Sequence, residues 1–117
     1  LCEGEVLQMQ GAYDPAPLDD GAERWDAYLR KTRGKTACLF GAACEAAGLL
    51  YGRGEDACQA LRRYGEAFGT AFQIIDDLLD YTGDSDSLGK PALDDLRRGL
   101  VNAPLLLALD APERTAA

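Results

Sequence analysis

The sequence has 117 residues, enough for one small domain with a modest hydrophobic core. Its 20 acidic and 12 basic residues give a net charge of −8 at pH 7, which disfavours general nucleic-acid binding because that requires a basic surface. Histidine is absent and the four cysteines lack C-x-x-C spacing, which excludes His-based triads and disfavours a zinc site. We interpret the cysteines as small buried thiols in a reducing compartment.

Helical periodicity dominates the chain, and no alternating stretch rich in β-branched residues predicts a strand. We therefore expect an all-α fold of four or five helices in a single partial domain, 1–117. The segment EVLQMQGA ends a first helix, and a loop rich in Pro, Asp and Gly follows over 13–21. A second, short helix carries Trp25, Tyr28 and Leu29 at i, i+3 and i+4.

Gly34 is expected to break this second helix, and a third helix is expected to begin near Lys35. The third helix is rich in small residues that allow a neighbouring helix to approach closely. These small residues are Gly41, Ala42, Cys44, Ala46 and Gly48. The turn signals in YGRGE, 51–55, predict its end.

A long helix is predicted around 56–81, with a length of about 39 Å at 1.5 Å per residue. Helices of this length usually cross the centre of a larger bundle. The segment TGDSDSLGKP that follows predicts a loop. A short helix closed by Gly99 and a last helix with Pro104 in its first turn complete the prediction.

An acidic line runs along one face of the long helix, formed at i, i+3, i+4 and i+7 by Gln73, Asp76, Asp77 and Asp80. Apolar residues occupy most of the remaining surface, among them Phe68, Phe72, Ile75 and Leu79. Such a helix can be buried in a bundle by its apolar side. Its acidic line then faces either bulk water or a polar cavity.

The composition of this line favours a metal site. A solvated face normally mixes Lys, Glu and Arg, and like charges at i, i+4 destabilise a helix unless something neutralises them. Clustered oxygen ligands without His or Cys favour a hard cation. Mg²⁺ takes one or two carboxylates and completes its shell with water and substrate phosphates. The line therefore predicts Mg²⁺ and a phosphorylated ligand.

A calcium loop is the alternative metal site. Asp84, Asp86 and Gly89 match positions 1, 3 and 6 of an EF-hand loop, and Asp95 falls at position 12. However, Leu88 stands at position 5, where an oxygen ligand is expected, and the last position carries Asp rather than Glu. These departures disfavour an EF-hand.

Two basic segments are candidates for binding phosphate. Arg30, Lys31, Arg33 and Lys35 lie close together at an expected helix start, where free N–H groups also favour phosphate. Lys90 lies in the loop after the acidic helix. Each segment alone is typical of a solvated surface, but together they are placed to converge on the acidic line.

Four motifs, taken together, resemble the C-terminal part of the trans-polyprenyl diphosphate synthase family. In chain order they are GEVLQM (4–9), YLRKTRGKTACLF (28–40), GTAFQIIDDLLD (69–80) and LGKPALDDLRRGLVNAP (88–104). The resemblance implies helices of the isoprenoid synthase type around a central cavity. It also implies Mg²⁺-dependent condensation of an allylic diphosphate with isopentenyl diphosphate.

The resemblance also implies roles for individual residues. The family's motifs correspond to metal ligands Asp76, Asp77 and Asp80, diphosphate contacts Lys35 and Lys90, and cation-stabilising oxygens of Thr36 and Gln73. No protein nucleophile is implied, because the leaving diphosphate is thought to accept the final proton. Leu100 stands where short-chain members often carry Lys, which favours the long-chain synthases that make quinone side chains.

The family's first aspartate-rich motif lies upstream of the first helix and is absent from this sequence. We therefore expect a fragment that is inactive alone, and a homodimer or heteromer for the full-length protein. The alternatives are a non-catalytic subunit or truncated paralogue, a terpene cyclase-type relative, and a plain helical interaction module.

The sequence also bears on location. No apolar run approaches the ~20 residues that span a bilayer, and no signal peptide opens the chain. We expect no transmembrane segment and a soluble protein of the cytoplasm or of an organelle interior, such as a mitochondrion or plastid.

Overall fold

The computed structural model describes residues 2–13, 21–82 and 93–111, and all regular structure within them is helical. The predicted all-α fold is therefore confirmed. The elements are α1 (Cys2–Tyr13), α2 (Gly21–Thr32), the π-helical segment π1 (Arg33–Ala37), α3 (Cys38–Leu50), α4 (Glu55–Thr82), α5 (Asp94–Arg97) and α6 (Ala103–Asp110). Among the described helices, none combines the length and the apolar character that a membrane span requires.

Helix α4 agrees with the long helix predicted around 56–81. It has 28 residues and begins with Glu55 and Asp56, whose charges favour the positive end of the helix dipole. A turn containing Gly52, with a φ of 64°, separates it from α3. The predicted loop over 13–21 overlaps α1 and α2 by one residue at each end. The rest of that loop, and the loop with Lys90, lie outside the described residues.

The expectation that Gly34 breaks the second helix is wrong. Helix α2 continues through π1 into α3, and the Cys38 N–H bonds back to the Arg33 carbonyl, five residues earlier. Gly34 instead serves close packing, since a Cβ built on it would lie 3.1 Å from the Cα of Gly4 in α1. Lys35 therefore lies inside a continuous helical run, and the helix N-terminus expected there does not exist.

Helices α3 and α4 pack closely through glycines. Gly41 and Gly48 are buried, as the small-residue pattern predicted, whereas Ala42 faces solvent. On α4, a Cβ added to Gly65 would lie 2.4 Å from the backbone oxygen of Phe40, which real Cβ atoms do not tolerate. The close approach fixes α4 against the π1–α3 run.

A small core joins α2 to α6. Tyr28, Ala103 and Leu106 are buried together, and Ile74 of α4 packs against them. Helix α6 begins as predicted, with a proline in its first turn, and the side chain of Asn102 accepts a hydrogen bond from the Leu105 N–H at 3.4 Å. This core places the start of α6 beside the acidic line of α4.

The apolar side of α4 is not buried as expected, whereas two carboxylates of its acidic line are. Asp77 and Asp80 are 4% and 0% exposed, whereas Phe72 and Ile75 are 52% and 55% exposed. Phe72 retains a ring contact with Phe40 of α3, with centroids 5.7 Å apart. The acidic side thus packs against α2, α5 and α6, and the apolar side is open to solvent.

The cysteines only partly match the interpretation as buried thiols. Cys58 is buried, Cys38 and Cys44 are half-buried, and Cys2 is exposed. All of them are free thiols.

Candidate active site

A cavity of about 250 Å³ lies between α2, π1, the acidic side of α4 and the segment that links α5 to α6. Its lining comprises Tyr28, Lys31, Thr32, Lys35, Thr36, Gln73, Asp76, Asp77, Asp95, Leu100, Val101 and Asn102. Lysines and carboxylates thus share one concave surface, an arrangement that suits a ligand with both anionic groups and bound cations.

The cavity brings together five of the seven site residues predicted from the sequence, namely Lys35, Thr36, Gln73, Asp76 and Asp77. Asp80 does not line it, because this side chain is fully buried one turn further along α4. Lys90 lies outside the described residues, so its predicted contact with diphosphate stays a prediction.

Thr36, Gln73 and Asp77 form a hydrogen-bonded chain across the cavity. The Thr36 hydroxyl donates to Oε1 of Gln73 at 2.9 Å, and Nε2 of Gln73 donates to Oδ1 of Asp77 at 2.9 Å. The same amide nitrogen lies 3.4 Å from Oδ2 of Asp76. These contacts assign the amide orientation of Gln73, whose oxygen points towards π1 and whose nitrogen points towards the carboxylates.

Asp77 receives two further hydrogen bonds, both at Oδ2. The Tyr28 hydroxyl donates at 2.7 Å and the Ala103 N–H donates at 3.2 Å. Burial and, next, the hydrogen bond to Asp77 raise the pKa of Tyr28 well above its ordinary value. The phenol therefore keeps its proton at neutral pH and acts as a donor.

Lys31 is a cavity residue whose contacts the sequence did not reveal. Its Nζ donates to the Val101 carbonyl at 2.8 Å and lies 5.3 Å from the centroid of the Tyr28 ring. Burial lowers the pKa of Lys31, while the carboxylates of Asp77 and Asp95 act in the opposite direction. Lys31 thereby ties α2 to the segment that precedes α6.

Lys35 is placed by α1. Its Nζ lies 3.3 Å from Oε1 of Glu5, and a Cβ added to Gly4 would lie 2.3 Å from the backbone nitrogen of Lys35. The backbone of α1 therefore contacts π1 directly, at the residues that carry Lys35 and Thr36 into the cavity. Short π-helical segments of this kind often occur at functional sites.

Asp80 anchors the chain that returns after α4. Its Oδ2 accepts from the Asp95 N–H at 3.2 Å, and its carbonyl accepts from the Leu93 N–H at 2.9 Å. Asn102 donates in turn to Oδ2 of Asp95 at 3.3 Å. Asp80 thus helps to bring Asp95 to the cavity wall.

The cavity offers carboxylate oxygens to a divalent cation. Across residues 2–13, 21–82 and 93–111, no three His, Cys, Asp or Glu side chains converge closely enough to hold an ion by themselves. The carboxylates of Asp76, Asp77 and Asp95 nevertheless line the same cavity, beside two lysines that suit phosphate. This donor set fits Mg²⁺, which needs only one or two carboxylates when phosphate oxygens and water supply the rest.

The contacts of Tyr28, Lys31 and Asn102 could not be predicted from the sequence because they are long-range, although Lys31 was among the candidate phosphate-binding residues. Tyr28 and Asp77 are 49 positions apart, and Lys31 and Val101 are 70 apart. Periodicity placed Tyr28 only on an apolar stripe. Its hydroxyl was a weak indication of a polar contact, since a buried phenol usually finds a hydrogen-bond partner.

Comparisons with known proteins identify relatives of this chain. The chain is 46% identical over 109 residues to the all-trans-nonaprenyl-diphosphate synthase (geranyl-diphosphate specific) of Rhodobacter capsulatus. The aligned region covers 93% of this chain and 31% of that enzyme. It resembles the crystal structure of heptaprenyl diphosphate synthase from Staphylococcus aureus with a TM-score of 0.81 and 28% identity, over 99% of this chain and 38% of that one.

A polyprenyl synthase from Caulobacter crescentus, crystallised with calcium and isoprenyl diphosphate, matches at 45% identity with a TM-score of 0.78, over 92% of this chain and 31% of that chain. This chain therefore spans about a third of the length of the relatives it matches. The polyprenyl synthetase family matches residues 1–117. The chain belongs to the polyprenyl synthetase family, and its all-α architecture is the isoprenoid synthase fold.

Proposed function

We propose that this chain is the C-terminal portion of a prenyltransferase that condenses an allylic diphosphate with isopentenyl diphosphate. The observation that carries the proposal is the cavity in which Lys35, the Thr36–Gln73–Asp77 chain and Asp76 meet. A site that must hold diphosphate and stabilise a carbocation needs cations, metal-binding carboxylates and aligned neutral oxygens. This cavity supplies all three.

Within this proposal, Asp76, Asp77 and Asp80 are the acidic motif that serves Mg²⁺. Asp76 and Asp77 line the cavity, and the buried Asp80 supports Asp95 on its wall. The metal, when bound, neutralises the leaving diphosphate and so favours its departure. We further propose Mg²⁺ rather than Ca²⁺ as the natural ion, because clustered Asp residues with substrate phosphates suit its small octahedral shell.

The neutral residues have a separate role in the proposal. The Thr36 and Gln73 side chains present oxygens next to the cavity and are held to each other at 2.9 Å. Because they are already oriented, they can stabilise developing positive charge without reorganising. Lys35, and Lys90 ten positions after Asp80 in the sequence, bind the diphosphate oxygens.

The product and the assembly are further parts of the proposal. Leu100 on the cavity wall, where short-chain relatives often carry Lys, supports a long-chain prenyl product. The open apolar side of α4 supports a partner segment or subunit, in either a homodimer or a heteromer. We propose an aqueous compartment, the cytoplasm or an organelle interior, as its location.

An activity assay tests the proposed function. The full-length protein, incubated with an allylic diphosphate and labelled isopentenyl diphosphate, should form longer prenyl diphosphates in Mg²⁺ and none after chelation. The 117-residue chain alone should be inactive. A folded full-length protein that forms no product with any allylic diphosphate, but raises the activity of a separate synthase, would instead establish the non-catalytic subunit.

A further inference from the structure

Three donors hold the Asp77 carboxylate and they are unevenly distributed. Oδ2 accepts from the Tyr28 hydroxyl at 2.7 Å and from the Ala103 N–H at 3.2 Å, while Oδ1, among residues 2–13, 21–82 and 93–111, accepts only from Gln73 Nε2 at 2.9 Å. An ionised carboxylate offers about four lone-pair positions, two on each oxygen. Both positions on Oδ2 are therefore occupied, and one position remains on Oδ1.

We propose that Tyr28 is a positioning residue that occupies Oδ2 of Asp77 and restricts Asp77 to binding a divalent cation through Oδ1 alone. This inference rests on the proposed function, because it takes Asp77 as a metal ligand. It adds a selectivity rule to that function. A carboxylate limited to one oxygen suits the six-coordinate shell of Mg²⁺ and disfavours Ca²⁺, which readily accepts two oxygens from one carboxylate.

Tyr28 is rigid enough for this role. Its ring is buried with Ala103 and Leu106, and Trp25 packs edge-to-face against it with centroids 5.6 Å apart. Lys31 covers the ring at 5.3 Å from its centroid. Tyr28 therefore donates to one fixed oxygen rather than alternating between two.

The second donor to Oδ2 is braced from the same helix. Lys31 Nζ holds the Val101 carbonyl at 2.8 Å, two residues before the Ala103 N–H that reaches Asp77. Tyr28 and Lys31 lie one turn apart on α2, so this helix controls Oδ2 directly through the phenol and indirectly through the segment before α6. Gln73, on α4 itself, is the only donor to Oδ1 within the described part of the chain.

Removing the phenol oxygen tests the inference in the full-length protein. Binding of Mn²⁺ in the presence of inorganic diphosphate is measured by electron paramagnetic resonance, and Mg²⁺ and Ca²⁺ are then used to displace it. Tyr28→Phe should weaken Mn²⁺ binding by about tenfold, the usual effect of losing a partner that orients a metal ligand. It should also shift the competition towards Ca²⁺, because Oδ2 gains a free position.

Two further variants make the test specific. Tyr51→Phe removes a phenol oxygen from an exposed turn residue and should leave Mn²⁺ binding unchanged. Placing 4-aminophenylalanine at position 28 restores a donor on the same ring and should return both the affinity and the Mg²⁺ preference. If the Phe variant fails to fold, the 4-aminophenylalanine variant is compared with the wild type instead. A folded 4-aminophenylalanine variant that lacks the wild-type Mn²⁺ affinity and Mg²⁺ preference then overturns the inference.

The inference and the proposed function fail differently. If the wild-type protein makes prenyl diphosphates while Tyr28→Phe retains wild-type Mn²⁺ binding and cation preference, the role of Tyr28 is wrong and the function stands. If the wild-type protein binds Mn²⁺ in a Tyr28-dependent manner but transfers no prenyl group, the proposed function is wrong and the role of Tyr28 stands.

Discussion

The two sides of α4 differ in their burial and in the contacts that their side chains make. On the inward side, Asp77 and Asp80 are buried and are held by donors from α2, α5 and the start of α6. On the outward side, Phe72 and Ile75 are half-exposed, and Phe72 makes a ring contact with Phe40. A helix of an ordinary monomeric domain shows the reverse distribution, with its apolar stripe inside.

This difference shows that the inward side of α4 is satisfied by partners within the chain, whereas the outward side is not covered by the described residues. Burying a carboxylate is costly unless it is hydrogen-bonded, so the inward side is already organised by its own partners. A continuous apolar surface in water marks an interaction surface. The chain spans about a third of the length of the relatives it matches, and within the proposed function the outward side would pack against the rest of the synthase.

The largest effect is expected at Asp76, an exposed carboxylate that lines the cavity. Asp76→Ala in the full-length protein should lower kcat by about 100-fold or more, because metal stabilisation of the leaving group contributes several kcal/mol. Asp56→Ala, in the first turn of the same helix, is the matched control and should keep wild-type kcat. Equal activities of the two variants would exclude a metal role for the inward side.

A smaller loss of activity is expected at Gln73. Gln73→Leu leaves the Thr36 hydroxyl and Oδ1 of Asp77 without their shared partner, so kcat should fall about tenfold. The control is Gln59→Leu, because Gln59 bonds Glu55 on the exposed surface of α4. Steady-state kinetics with both substrates measures the effect. If Gln73→Leu altered only KM, the hydrogen-bonded chain would serve binding rather than the carbocation.

Substitutions of two adjacent isoleucines allow the two sides of α4 to be compared by their effects on the free energy of unfolding. Ile74 packs against the core of Tyr28, Ala103 and Leu106, whereas Ile75 faces outwards. In the 117-residue chain, Ile74→Ser should lower the free energy of unfolding by about 2–3 kcal/mol, and Ile75→Ser by about 0.5 kcal/mol or less. In the full-length protein the cost at Ile75 should rise by about 1–2 kcal/mol if that side becomes covered. Urea unfolding measures both, and equal costs in both forms would contradict a covered outward side.

The smallest effect is a dependence of stability on alkaline pH. Tyr28 ionises at about 10.0 in the unfolded chain, and its pKa is higher in the folded protein. Its contribution to stability is therefore complete below pH 10 and is lost as the pH rises beyond it. The difference in free energy of unfolding between wild type and Tyr28→Phe should narrow above about pH 10, by less than about 1.4 kcal/mol per pH unit. A constant difference would show that Asp77 does not hold the phenol proton.

Local signals in the sequence were sufficient for much of the fold. The periodicity over 56–81 placed α4 to within one residue at each end, and Pro104 marked the first turn of α6. Gly99 was also correctly placed, since its φ of 70° needs a residue without a Cβ after α5. Each of these features depends on residues that are close together in the chain.

Features that depend on distant residues were not predictable. Gly34 carries the same breaker signal as other glycines, but contact with Gly4 on α1 retains it inside a helical run. The acidic line was recognised by spacing, and three of its four residues line the cavity, yet the sequence did not show which side of α4 would be buried. The Tyr28–Asp77 contact joins residues from different helices and has no local signature.

The metal role of the inward side of α4 is tested most directly by a crystal structure of the full-length protein with Mn²⁺ and inorganic diphosphate. Anomalous scattering locates the metal in such a structure. We predict Mn²⁺ on the inward side of α4, bound by Asp76 and by Oδ1 of Asp77, with the diphosphate against Lys35. Mn²⁺ bound elsewhere, or an inward side without metal and diphosphate when both are present at saturating concentration, would contradict it.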